Sequence, residues 1–188
     1  MNLPTWLTLF RLLLIPFVVG LLFVRMPGFN SVAAVLFGIA LATDWLDGYL
    51  ARRWDQTSDF GAFLDPVADK LIVCGVLVML TYRVPEFFVA LPAAIIVGRE
   101  LTVSALREWM AELGERGIVA VGSLGKYKTA VQMLAIFLML FDLFERGTIF
   151  FVGVVLLVIS SAITLWSMVL YLKQAWPRLT RGQGSIDV

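Results

Sequence analysis

Apolar residues run through this chain in six long blocks separated by short polar breaks. The blocks cover roughly residues 5–25, 30–50, 63–83, 87–108, 127–144 and 148–172, each near the ~20 residues a helix needs to cross a bilayer. The breaks are Met26-Pro27-Gly28, the polar stretch Arg52 to Asp59, Arg83-Val84-Pro85-Glu86, the stretch Glu112 to Tyr127, and Glu145-Arg146-Gly147. Such blocks are too long and continuous for strands, and no ten-residue alternation suggests an outer-membrane barrel. The pattern predicts an all-α, polytopic integral membrane protein with six transmembrane helices. Residues 1–175 are expected to form one transmembrane domain, and 176–188 a polar C-terminal tail.

Composition sharpens this picture. Of 188 residues, 60% are hydrophobic and 15% charged, against about a quarter charged in soluble domains. A net charge of +1 gives no bulk attraction for nucleic acid. The chain begins directly in an apolar stretch, without a basic leader, so the first block reads as a retained span rather than a signal peptide. Cys74 stands alone in an apolar run and reads as a small buried hydrophobe. There is no histidine. Acid–base chemistry therefore falls to carboxylate, Lys, Tyr or water, and any metal should be hard and oxygen-bound, such as Mg2+ or Mn2+.

Lys and Arg give the orientation. Arg52, Arg53, Arg116, Lys126, Lys128, Lys173, Arg178 and Arg181 fall on one side of the bundle, and Arg25, Arg83 and Arg146 on the other. The bias predicts both termini in the cytoplasm, with the second-to-third connection on that side.

The costly residues are concentrated at that connection. Asp44, Asp47, Gly48 and Ala51 fall at i, i+3, i+4 and i+7, one stripe of a helix. Gly61, Asp65 and Asp69 fall at i, i+4 and i+8, a second stripe. A tight connection lets the stripes face each other, so four carboxylates meet across one gap. Two divalent ions about 3.5–4 Å apart would turn that gap into a phosphoryl-transfer site. Gly48, Ala51 and Gly61 leave room for a ligand or the facing helix, and Arg52 can meet a phosphate at the cytoplasmic edge. Pro66, inside the third block, suggests a late helix start or a kink near the site. Other readings of the acids are ion pairs with Arg52, Arg53 and Lys70, the acidic ring of a divalent-cation transporter, or a scaffold built around a structural metal.

The run D-x2-D-G-x2-A-R-x8-G-x3-D-x3-D from Asp44 to Asp69 resembles the signature of the CDP-alcohol phosphatidyltransferases, integral membrane enzymes of phospholipid synthesis. The resemblance implies a six-helix membrane fold, usually homodimeric. It implies two Mg2+ or Mn2+ ions held by Asp44, Asp47, Asp65 and Asp69, with Asp69 as general base. It also implies a CDP-linked lipid, CDP-diacylglycerol, whose nucleotide lies beside Gly48, Ala51 and Arg52, with Gly61 close by. The opening Asn2-Leu3-Pro4-Thr5-Trp6-Leu7-Thr8-Leu9-Phe10-Arg11 reads by itself as a polar cap followed by a snorkelling Arg. The resemblance adds that this segment lines the active-site cavity, bringing Asn2 and Thr5 to the CDP-lipid.

Further cations converge on the acidic side. Arg99 and Arg107 are eight residues apart, about 12 Å along a helix and roughly on one side. Lys126 and Lys128 begin the fifth block. They read either as positive-inside anchors or, with Arg99, Arg107 and Arg11, as an anion pocket for a small phosphorylated acceptor. Within the family, the stretches Arg99–Gly114 and Gly125–Thr129 resemble the bacterial inner-membrane members that use glycerol 3-phosphate. Inositol phosphate is the alternative acceptor. Serine carries no phosphate to need these cations, and phosphatidylglycerol would enter from the bilayer.

Overall fold

In the computed structural model the chain forms α1 (Leu3–Phe23), α2 (Phe29–Trp54), α3 (Asp59–Arg83), α4 (Phe87–Glu112), α5 (Ser123–Phe141) and α6 (Thr148–Arg181). The structure describes residues 3–26, 28–54, 59–112 and 123–181; the side chains of some helix-end residues, including Ala51, Arg52, Lys126 and Lys128, lie outside the description. No strand occurs among the described residues. Each apolar block became a helix, but the ends moved. Helix α3 begins at Asp59 and runs through Pro66, so the late start suggested by that proline does not occur. Helix α6 runs on to Arg181, beyond the end of the sixth apolar block at residue 172.

Helix α1 packs on α2 and α3, α5 on α6 and α2, and α4 on α6 and α3. Between them lies a core of Val18, Leu22, Phe37, Val76, Leu80, Ile136 and Leu140, all fully buried. Outward faces carry Trp6, Phe17, Phe63, Val78, Phe87 and Trp166, each more than half exposed. Such a surface would not remain monomeric in water and suits hydrocarbon. Thr5–Phe23, Phe29–Leu50, Phe87–Glu112 and Thr148–Lys173 are long and apolar enough to cross a membrane, and Thr129–Phe141 is a shorter apolar helix. This is therefore a membrane protein. Helix α3 is not among them, because Asp59, Asp65, Asp69, Lys70 and Arg83 leave it no long uncharged stretch at the acidic end.

Lipid tails are as apolar as leucine, so helices in a bilayer associate by close packing rather than by hydrophobic exclusion. The α5–α6 contact depends on this. A Cβ at Gly153 would lie 2.6 Å from Met139 Cγ, 2.9 Å from the Ala135 carbonyl oxygen and 3.0 Å from Met139 N. Met139 is fully buried and is met at Cγ rather than at its flexible tip, and the backbone atoms cannot move without separating the helices. Gly153→Ala is expected to destabilise the bundle by about 1–3 kcal/mol, seen as a lower thermal midpoint in detergent. An unchanged midpoint would show that α5 and α6 do not touch this closely.

The end carrying the α1–α2, α3–α4 and α5–α6 turns is tied by arginines. Arg83 Nη1 donates to the carbonyl oxygens of Leu22 at 2.8 Å and Val24 at 3.3 Å. Arg146, with φ of 51°, reaches Glu86 and the Arg83 carbonyl. These bonds satisfy carbonyls left open at helix C-termini. The opposite end holds the acids.

Candidate active site

The buried face of α1 changes character along its length. Thr5, Thr8 and Arg11 come first, then Leu14, Val18 and Leu22. All recur at helical spacing on one side, so the same stripe that seals the core at one end delivers polar groups at the other. There α1 meets the C-terminal half of α2, carrying Asp44 and Asp47, and the first turns of α3, carrying Asp65 and Asp69.

The two acidic stripes do converge, and α1 closes them. Arg11 is 1% exposed. Its Nη1 lies 2.7 Å from Asp44 Oδ1 and also pairs with Asp69 Oδ1, while Nη2 pairs with Asp47 Oδ2. Thr8 Oγ1 donates to Asp65 Oδ1 at 2.5 Å. Asp47 is as buried as the arginine, whereas Asp44 and Asp69 are nearly half exposed. Arg11, expected beside an acceptor phosphate, is thus engaged by carboxylates. Its reach along α1 brings it into the gap between the stripes, where the negative charge is densest. Of the cations considered as partners for the acids, Arg53 instead stacks on Tyr49, Lys70 forms no ion pair with them among the described residues, and the Arg52 side chain lies outside the description.

The donor set fits a hard divalent cation in kind: four carboxylates and no nitrogen or sulfur ligand. One guanidinium against four acids also leaves an excess of negative charge that a bilayer-embedded cluster cannot leave uncompensated. Among the described residues no three acids converge on a single ion-sized point, because the guanidinium takes the central place.

Beside the acids opens a cavity of about 260 Å3. Asp44 and Asp69 form part of its wall, Arg11 and Lys70 contribute charge, and α4 adds Arg99, Glu100 and Arg107. Arg99 Nη1 is held by Glu100 Oε1 at 2.6 Å, and Arg99 Nε is buried without a hydrogen-bond partner. An arginine fixed by a neighbouring carboxylate, with a donor left open, is prepared for an anion. From α5 come Thr129, Gln132 and Met133. Gly61 is buried and Gly48 half-buried on the two acid-bearing helices, and Thr5 is buried on α1. Asn2 lies outside the described residues, as do the side chains of Ala51, Arg52, Lys126 and Lys128.

Sequence reasoning passed over Thr8, Glu100 and Gln132. Thr8 was legible from its spacing, one turn from Thr5 and one from Arg11. Glu100 and Gln132 are lone polar residues in apolar helices, and their meaning depends on what faces them.

A membrane bundle with an acidic cluster opening on a cationic cavity suits transfer of a phosphoryl-linked group between charged substrates. The chain matches the CDP-alcohol phosphatidyltransferase family over residues 1–170 and belongs to that family. It is 48% identical over 176 residues to the CDP-diacylglycerol–glycerol-3-phosphate 3-phosphatidyltransferase of Escherichia coli strain K12, covering 93% of this chain and 94% of that protein. Proteins of the same name from Shigella flexneri serotype 5b and Salmonella typhimurium show the same identity and coverage.

Proposed function

We propose that this protein transfers the phosphatidyl group of CDP-diacylglycerol to the C1 hydroxyl of sn-glycerol 3-phosphate, giving phosphatidylglycerophosphate and CMP. The observation that carries the reading is the cavity that joins Asp44 and Asp69 to Arg99 and Arg107. It pairs a carboxylate site for the reacting phosphorus with guanidinium groups for a phosphorylated acceptor. The 48% identity to enzymes named for this reaction supports the choice of acceptor.

Asp69 is the general base. Half exposed and on the cavity wall, it can take the proton of the attacking hydroxyl. Arg99 and Arg107 hold the acceptor phosphate, assisted by Lys126 and Lys128. Glu100 fixes the Arg99 guanidinium, so little orienting entropy remains to be lost on binding. Asp44, Asp47, Asp65 and Asp69 would hold two Mg2+ or Mn2+ ions, which when bound neutralise charge on the pyrophosphate and the departing CMP. Arg11 and Thr8 hold these acids in register. Asn2, Thr5, Gly48, Ala51, Arg52 and Gly61 are assigned to the CDP-lipid, as the family resemblance implies. The hydroxyl oxygen attacks the phosphorus bearing the diacylglycerol, the bond to CMP breaks, and phosphorus inverts.

All six helices cross the bilayer in this reading, with α3 tolerated because its acids face the site. The site and both termini face the cytoplasm of the bacterial inner membrane, and the protein is a homodimer, as the family resemblance implies. The test uses purified protein in detergent with CDP-diacylglycerol and Mg2+ or Mn2+. CMP release is expected with glycerol 3-phosphate and not with serine, inositol phosphate or phosphatidylglycerol, and chelation should stop it. Release with another acceptor alone would overturn the acceptor assignment; uptake of divalent cations without CMP release would favour a transporter.

A further inference from the structure

Gln132 is the least expected residue of the cavity wall. It sits mid-helix in α5, is 4% exposed, and lines the cavity one turn from Thr129. None of the hydrogen bonds among the described residues involves its amide. Its amide atoms are not sealed in the core but reach the cavity, where they can hydrogen-bond a ligand and a leucine could not. The side chain therefore points to a polar partner that arrives from the cavity.

The acceptor supplies one. This step rests on the function proposed above. In glycerol 3-phosphate one end carries the attacking hydroxyl, assigned to Asp69, and the other the phosphate, assigned to Arg99 and Arg107. The middle carbon carries a second hydroxyl that both donates and accepts. Charged side chains bind the two ends; the middle group calls for a neutral side chain able to do both. Only Thr129 and Gln132 among the described lining residues are neutral and polar, and Thr129 already has an interaction elsewhere. We propose that Gln132 is a specificity-determining residue that hydrogen-bonds the C2 hydroxyl of the acceptor and so selects a glycerol backbone over other phosphorylated alcohols.

The experiment compares glycerol 3-phosphate with 3-hydroxypropyl phosphate, which lacks only that hydroxyl, by kcat/KM for CMP release. Wild-type protein is expected to prefer glycerol 3-phosphate by about tenfold or more. Gln132→Leu should lose about that factor with glycerol 3-phosphate while keeping its rate with 3-hydroxypropyl phosphate, so the preference collapses. Activity with the deoxy acceptor also reports that the variant is folded. Gln132→Met, closer in shape, serves if the leucine variant is unstable. A preference unchanged in both variants overturns the assignment, and so does an equal loss with both acceptors, which marks a packing role. If wild-type protein releases no CMP with either acceptor, the proposed function fails instead.

Discussion

Asp69→Asn is expected to lower kcat by about 10³-fold or more while leaving the bundle folded. Asparagine keeps the shape and can still accept a hydrogen bond from Arg11. It loses the charge needed to bind a cation and the basicity needed to take a proton. Asp69 is nearly half exposed, so neutralising it removes little that holds the helices together. Asp44→Ala and Asp65→Ala are expected to be similarly inactive. The rate of CMP release, read beside the thermal midpoint of the same preparations, checks this. Near-wild-type release from Asp69→Asn would remove the residue from the chemistry and revive a reading in which the acids serve only structure.

Arg11→Met should act in the opposite way, on the fold before the chemistry. It strips the cation from Asp47, which is 4% exposed, and from the more accessible Asp44 and Asp69. Breaking a buried pair by removing one partner costs about 3–5 kcal/mol. Here the Asp47 contact should dominate, since solvent screens the other two. The thermal midpoint in detergent with chelator present is expected to fall steeply. Arg11→Lys should recover only part of the loss, because one ammonium cannot reach three carboxylates as a planar fork can. Adding Asp47→Leu to Arg11→Met should restore stability, since the stranded buried charge is then gone. A wild-type midpoint for Arg11→Met would show that Arg11 does not hold the acids.

These two residues show what could be read from the chain and what could not. Asp44, Asp47, Asp65 and Asp69 were legible because their spacing fixes them on two helix faces, whatever the third dimension does. The six helices were legible because apolar blocks of bilayer length between short breaks have few other solutions. Arg11 reads from the sequence as a snorkelling residue or as part of an anion pocket, not as the partner of the acids. Its partners are 33 or more positions away, and no periodicity reports which helix α1 will pack against. The continuation of α6 to Arg181 was not legible, because hydropathy marks where lipid contact ends and not where helical hydrogen bonding ends. Gln132 drew no reading from the sequence, and its place became plain only with the cavity beside it.

The position of Arg11 on the first helix has a consequence for biogenesis. The chain presents its guanidinium to the bilayer before any of the four acids is synthesised. Thr5–Phe23 has a mean hydropathy of 2.2, enough to carry one arginine whose insertion costs about 2.5–3.5 kcal/mol at a helix centre. When α2 follows, Asp44 and Asp47 enter a membrane that already holds their counter-charge, and α3 then brings Asp65 and Asp69 to a helix pair already in place. Order of synthesis thus gives each acidic helix a counter-charge already in place when it arrives.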